Sequence, residues 1–251
     1  PTMSGHSKWA TIKHKKGAAD KARAKVFNKI ARQLEVSARE GGPDPSSNAS
    51  LRTVIQKAKA AQMTNDAIDR AVKRGAGLDD AGSYEAITYE GYAPGGVALM
   101  IDVLTDNRNR TGAEVRNIFS KLGGSMAEPG AVGWQFSRRG VLLVNSTDED
   151  AVMMAALEAG ADDIAADGAG VFRVTCDPAA VFDVRDALVG AGHDVASAES
   201  TMVSSVTVEV SDASDAKKIL RIMDALEDND DVQDVYSNFD ISDELMEAVD
   251  E

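Results

Sequence analysis

Residues 138–202 carry hydrophobic patterns in an order that few folds can accommodate. Alternating apolar residues predict strands at about 141–144, 162–167, 170–175 and 193–199. One helical stripe, with Thr147 as its predicted cap, follows the first strand, and a second, opened by Asp177-Pro178, follows the third. Strand, helix, strand, strand, helix, strand is the split βαβ or ferredoxin-like order. We therefore expect these residues to form one α+β domain.

The flanking segments predict a second unit of the same kind. Residues 80–137 contain two strands joined by a Pro-Gly-Gly turn, then a helix for which Thr111 and Glu114 form a predicted capping box. Residues 203–240 add a strand, a striped helix and a last strand. Together they predict a discontinuous α+β domain into which 138–202 is inserted, with 241–251 as an acidic, frayed helix or tail.

Residues 1–79 predict a basic helical domain. An amphipathic helix covers 17–40 and stops at Gly41-Gly42-Pro43, and shorter helices follow at about 49–61 and from Thr64 or Asn65 to Gly75. The expected fold class is therefore α+β, with an N-terminal three-helix domain and two split-βαβ (ferredoxin-like) domains, one inserted into the other.

Charge divides the chain at the end of these helices. Residues 1–78 hold 16 Lys and Arg against 6 Asp and Glu, whereas the remainder holds 11 against 35, which gives the net charge of −14. A basic head on an acidic body predicts that the head contacts a polyanion such as nucleic acid, while the body can contact protein partners. Ordinary solvation, or docking of the head on its own body, would leave the same pattern.

The best-defined cationic feature is a stripe along the first helix, opposite the apolar face. This basic stripe consists of Lys21, Lys25, Lys29 and Arg32. Cations at near-helical spacing can follow a phosphate backbone, but nothing in the stripe resembles a base-reading code.

A second basic group precedes that helix. This basic arm consists of Lys8, Trp9, Lys13, His14, Lys15 and Lys16. Either it orders on nucleic acid, with the lysines on phosphates, or Trp9 packs under the three helices.

A further candidate anion site lies where a predicted strand meets the next helix. It consists of Arg108, Arg110 and Arg116. Helix N-termini attract anions, and arginines there can hold a phosphate. The alternative is a hydrogen-bonded turn in which Arg108 pairs with Asp106.

Catalysis finds little support, and we expect no enzyme, metal or cofactor. The three histidines are too scattered for a metal or triad spacing: His6, His14 and His193. A metal-dependent nuclease is a remote alternative, because it would need Asp102, Asp106 and Glu114 to converge on a divalent ion.

The single cysteine, Cys176, excludes an intrachain disulfide and any multi-cysteine metal site, and its position predicts a core thiol at a strand end. The longest apolar run, 151–157, is far shorter than the ~20 residues of a membrane span. No secretory peptide is recognisable. We therefore expect a cytoplasmic protein without a membrane partner.

Several strings along the chain resemble the YebC/PmpR family, which includes the mitochondrial translational activator of cytochrome oxidase. They are 3–16 (MSGHSKWATIKHKK), 38–42 (AREGG), 89–92 (YEGY), 94–96 (PGG), 104–111 (LTDNRNRT), 230–236 (DDVQDVY) and Asn238. They occur in order and span essentially the whole chain. Thr64 and Ser204 depart from the family pattern, because each stands where a junction proline is expected.

The resemblance implies three domains, a helical one followed by two α+β domains. It also implies one of two functions. The first is a cytoplasmic DNA-binding transcriptional regulator that binds duplex DNA. The alternative is a ribosome-associated translation factor that binds ribosomal RNA.

Overall fold

The N-terminal helices are α1 (Ala19–Gly41), α2 (Ala49–Ala60) and α3 (Asn65–Ala76) in the computed structural model, which describes residues 19–77 and 83–250, without the side chains of 19–22 and 250. The apolar face of α1 packs on α2 and α3 through the fully or nearly fully buried residues Ile30, Leu34 and Ala38. This face is the one that the helical periodicity predicted.

Caps fix the start of the two shorter helices. Asn48 accepts a hydrogen bond from the Leu51 amide at 3.0 Å, and Thr64 accepts one from the Ala67 amide at 3.2 Å. Of the two residues predicted to start α3, Thr64 and Asn65, the structure therefore shows Thr64 as the cap. Gly75 does not end α3, which continues to Ala76. A Cβ at Gly75 would collide with the Glu35 carbonyl oxygen, so this glycine allows α3 to approach α1.

The discontinuous α+β unit is a four-stranded antiparallel sheet with helices on one face. Its strands are β1 (Glu85–Ala93), β2 (Val97–Thr105), β3 (Ser125–Ala127) and β9 (Val232–Ser237), in the order β3-β1-β2-β9. Its helices are α4 (Arg108–Leu122) and α7 (Ala213–Asp228). Leu99, Ile101, Phe119, Ile222 and Leu226 are at most 1% exposed in the core between the layers.

In this sheet β2, β3 and β9 hold the positions of the first, second and fourth strands of a split βαβ unit. The position of the third strand, which the strand after the insertion was expected to fill, is taken by β1. That strand, β8 (Val208–Val210), instead pairs in parallel with β10 (Phe239–Ile241). The acidic end forms α8 (Asp243–Asp250) rather than a frayed tail, since Met246 is buried in the core and Leu245 and Val249 pack against it.

The inserted unit shows the predicted strand and helix order. It contains β4 (Phe136–Asn145), α5 (Glu149–Glu158), β5 (Asp163–Ala166), β6 (Val171–Cys176), α6 (Val181–Gly190) and β7 (Asp194–Ser204). The sheet order is β5-β6-β4-β7, with every neighbouring pair antiparallel. Because β4 pairs with β7 along its full length, from Phe136 opposite Ser204 to Asn145 opposite Asp194, the chain enters and leaves the insertion on adjacent strands.

Two local predictions in this unit have different outcomes. Asp148, not Thr147, caps α5 by accepting from the Ala151 amide at 3.1 Å, which corrects the predicted start by one residue. Cys176 is fully buried at the end of β6, as predicted.

The α+β class, with three helices followed by two α+β units, one inserted in the other, is confirmed. Among the helices of 19–77 and 83–250, none is long and apolar enough to cross a bilayer.

Candidate nucleic-acid interface

The basic stripe of α1 faces the C-terminal end of α7 in the acidic body. Lys25 Nζ donates to the carbonyl oxygen of Asp228 at 2.6 Å and to its carboxylate Oδ1 at 2.5 Å, and Asp230 Oδ1 lies 4.0 Å away. Lys29 Nζ donates to the Glu227 carbonyl oxygen at 2.7 Å. These carbonyls belong to the last turn of α7, where the helix dipole is negative and carbonyls lack intrahelical partners.

Arg32 continues the same contact at a more buried position. Its Nη1 donates to the Leu104 carbonyl oxygen at 2.7 Å and to Asp231 Oδ1 at 3.0 Å. Its guanidinium carbon lies 4.4 Å from the centre of the Tyr84 ring. In this structure, three of the four stripe cations therefore bind oxygens of the chain itself.

Asp231 is the acceptor around which this region is organised. Its Oδ2 accepts from Thr111 Oγ1 at 2.7 Å and from Arg110 Nη2 at 2.9 Å, while Oδ1 accepts from Arg32. Burial raises the pKa of Asp231, but the hydrogen bonds from Thr111, Arg110 and Arg32 outweigh it, so the pKa is lowered.

The start of α4 corrects the predicted capping box. Asn107 is the N-cap, since its Oδ1 accepts from the Arg110 amide at 3.1 Å and the helix begins at Arg108. Thr111 lies inside the helix, is completely buried and donates its hydroxyl hydrogen bond to Asp231 instead of capping the helix. Glu114 accepts from Asn229 Nδ2 at 2.7 Å rather than returning to a cap.

The second candidate anion site holds two arginines that already have carboxylate partners. Arg108 pairs with Glu85 at 2.7 Å, and Arg110 pairs with Asp106 at 2.9 Å as well as with Asp231. The alternative pairing of Arg108 with Asp106 is therefore wrong, because Arg110 lies one helical turn after Asp106. Arg116 is exposed on α4.

The other predicted nucleic-acid-binding residues are the basic arm and Lys21. Lys8, Trp9, Lys13, His14, Lys15 and Lys16 lie outside the described residues. Lys21 lies in the first turn of α1, and its side chain is likewise outside them.

The structure adds exposed cations that sequence reasoning did not single out. They lie on all three N-terminal helices: Arg23, Lys59, Arg70 and Lys73. The sequence did not reveal them as a group, because residues contributed by three different helices to one surface have no regular spacing along the chain.

An aromatic side chain near the junction of the two α+β units was also missed. Trp134 is 69% exposed, and its Nε1 donates to the Ala131 carbonyl at 3.1 Å. The loop that carries it is held by Glu90, whose carboxylate accepts from the amides of Gly130, Val132 and Gly133. Burial raises the pKa of Glu90, but these three bonds outweigh it and the pKa is lowered.

The described residues offer no metal centre. Nowhere in 19–77 or 83–250 do three or more His, Cys, Asp or Glu side chains converge as metal ligands. Asp102 instead accepts from Thr88 at 3.0 Å, and burial, reinforced by Asp234, raises its pKa. Burial also raises the pKa of Cys176, to about 11, which disfavours the nucleophilic thiolate.

Comparisons with known proteins cover nearly the whole chain. A family model described as the TACO1/YebC protein N-terminal domain matches residues 7–78, and one described as the TACO1/YebC second and third domain matches 84–239. A probable transcriptional regulatory protein of Halothermothrix orenii is 51% identical over 253 residues, 99% of this chain and 100% of that protein. One from Rubrobacter xylanophilus is 54% identical over 250 residues, 98% of this chain and 99% of that protein.

A solved structure shares the fold. The crystal structure of a conserved hypothetical protein from Aquifex aeolicus is 40% identical in sequence and superposes with a TM-score of 0.75, covering 88% of this chain and 91% of that one. From its helical N-terminus to its last strands, the chain belongs to the TACO1/YebC family.

Proposed function

We propose that this chain is a non-enzymatic, cytoplasmic regulator of gene expression that binds duplex DNA through its basic N-terminal helices. The observation that carries the proposal is the separation of charge between two parts of one fold, a basic helical head and an acidic α+β body. Relatives named probable transcriptional regulatory proteins support the regulatory role.

The head offers cations in two arrangements. Arg23, Lys59, Arg70 and Lys73 are exposed on its helices, while Lys25, Lys29 and Arg32 contact the body. Exposed cations attract phosphates at long range, and the acidic body repels them, so a nucleic acid would approach the head first. The acidic body remains available for protein partners.

Ribosomal RNA is the second candidate target. The observation that favours it is the spread of Arg23, Lys59 and Arg70 over three helices, without one helix that presents a row of base-reading side chains. Such a distribution contacts backbones and suits a folded RNA surface as well as a duplex.

Competition binding decides between the two targets. A labelled duplex is bound to the protein at two salt concentrations and challenged with purified ribosomes. If a promoter duplex survives the challenge and a random duplex does not, the DNA proposal stands. If ribosomes displace every duplex and retain the protein at physiological salt, ribosomal RNA replaces DNA as the target.

A pair of variants tests whether the head is the binding surface. Arg70→Glu/Lys73→Glu reverses two exposed cations of α3, and Lys217→Glu/Lys218→Glu reverses two exposed cations of α7 in the body. The first variant should make the negative slope of log K against log salt shallower by up to about 0.9 per lost contact, and the second should leave the slope unchanged. Equal slopes in both variants and the wild type would contradict binding through this face of the head.

A further inference from the structure

The oxygens that surround the basic stripe are chemically similar to those of a nucleic-acid backbone. Lys25 and Lys29 bind the carbonyl oxygens of Asp228 and Glu227, which carry the negative end of the α7 dipole. Lys25 also binds the Asp228 carboxylate, and Arg32 binds that of Asp231. A phosphate backbone would offer the same donors a comparable row of anionic oxygens.

We propose that the C-terminal end of α7, with Asp228, Asp230 and Asp231, is a built-in competitor that occupies the basic stripe until a nucleic acid displaces it. The inference rests on the proposed function, since it specifies how the same basic head is regulated. The closed form holds Lys25, Lys29 and Arg32 against the body. In the open form these cations join the exposed ones of the head on the nucleic acid.

The contact between head and body is polar, which allows it to open. The buried core of the N-terminal helices contains residues 30–71 only and is separate from the core of the discontinuous unit. Among the described residues, the head and body are joined by the stripe, including Arg32 against the Tyr84 ring, and by Gln33 Nε2, which donates to Gln233 Oε1 at 2.9 Å. Small polar interfaces within a chain permit relative domain motion.

The exposure of the contact between head and body decreases along α1, from Lys25 to Arg32. At one end the side chains of Lys25 and Asp228 are 36% and 80% exposed, whereas those of Arg32 and Asp231 are 20% and 8% exposed. A cleft of about 590 Å³, lined by Arg32, Asp228 and Asp230 among others, runs beside the pair. Exposed ion pairs are weak and screened by salt, so displacement would begin at Lys25 and proceed toward Arg32.

The first experiment weakens the competitor without changing the cations, because it removes two carboxylate charges and leaves Asp231 and the helix carbonyls in place. Asp228→Asn/Asp230→Asn neutralises two side chains that are 80% and 82% exposed, so the fold should tolerate it. Glu158→Gln/Asp186→Asn removes the same charge from exposed positions of the inserted unit and is the matched control. With a labelled random duplex at low salt, the first variant should bind about three- to tenfold more tightly than the control. Equal affinity of the two variants would overturn the inference.

The second experiment measures the opening itself. Ala24→Cys and Ser214→Cys place labels at exposed positions on α1 and at the far end of α7, about 20 Å along that helix from Asp228. The native Cys176 is fully buried and should not react. The distance between the labels should change when duplex is added to the wild-type background, and in Asp228→Asn/Asp230→Asn, which retains the Arg32–Asp231 pair, the same change should need less duplex.

The outcomes separate the two proposals. A duplex that binds tightly while the label distance stays constant would overturn the competitor and leave the proposed function intact. Absence of duplex binding by both the wild type and Asp228→Asn/Asp230→Asn would overturn both. Opening with duplex, together with tighter binding by the neutralised variant alone, supports both.

Discussion

Arg32 of the first helix and Asp231 of the loop before β9 form an ion pair 3.0 Å long, although 199 residues separate them in sequence. The carboxylate is 8% exposed and its second oxygen is held by Thr111 and Arg110. The pair therefore ties the N-terminal helices to the hydrogen-bond network at the start of α4.

Asp231→Asn should destabilise the protein by about 1–3 kcal/mol, because it removes the charge that three donors share at a nearly buried position. Urea unfolding measures this change. Asp228→Asn is the control, since its carboxylate is 80% exposed and its loss should cost less than about 1 kcal/mol. Similar losses in the two variants would contradict the central position of Asp231.

Acid should weaken the same network. Hydrogen bonding and charge from Lys25 lower the pKa of Asp228, and the pKa of Asp231 is lowered despite burial. A carboxyl whose folded pKa lies below its unfolded value of about 3.9 stabilises the fold above that pH. The contribution is lost as pH falls through the lowered folded pKa. The difference in unfolding free energy between wild type and Asp231→Asn should therefore shrink below about pH 4; a constant difference down to full protonation would contradict it.

Glu90→Gln should loosen the loop that carries Trp134. The amide NH₂ group of glutamine is a donor, so it cannot replace a carboxylate oxygen that accepts from the amides of Gly130, Val132 and Gly133. We expect a loss of about 2–4 kcal/mol and faster hydrogen exchange at these amides. Glu85→Gln, on the same strand but exposed, should leave their exchange unchanged.

Gly75→Ala should separate α3 from α1. The added methyl would collide with the Glu35 carbonyl oxygen, and the backbone cannot move aside as a flexible side chain can. Thermal unfolding should show a loss of about 2–4 kcal/mol. Gly190→Ala is the matched control, because a Cβ at this position, at the end of α6, would contact nothing outside the neighbouring residues and backbone of its own helix; it should be neutral or slightly stabilising. A neutral Gly75→Ala would disprove the tight helix crossing.

Local patterns in the sequence predicted most of the fold. The apolar face of α1, the cap at Thr64 and the βαββαβ order of 138–202 follow from interactions within a few residues, which periodicity records. The predicted cap at Thr111 is wrong because Asn107, four residues earlier, is an equally good capping residue. The Thr111 hydroxyl instead donates to the carboxylate of Asp231, 120 residues away in sequence.

The surroundings of the basic stripe could not be predicted in the same way. The spacing of Lys25, Lys29 and Arg32 indicates a cationic face, and this face exists, but its partners Asp228 and Asp231 lie about 200 residues away. Charge complementarity between distant segments leaves no period in either of them. Docking of the head on the body remained one of three interpretations of the charge pattern until the structure placed α1 against α7.

The pairing of β4 with β7 has a consequence for protein engineering. Phe136, the first residue of β4, pairs with Ser204, the last residue of β7. The two ends of the insertion therefore lie opposite each other on adjacent strands, with their Cα atoms about 5 Å apart. A two-residue Asn-Gly turn spans such a gap. The inserted unit can therefore be exchanged at these two points for another domain whose ends emerge side by side, provided that the new domain again covers Ala98, Met100 and Tyr236, on which Phe136 and Met202 pack.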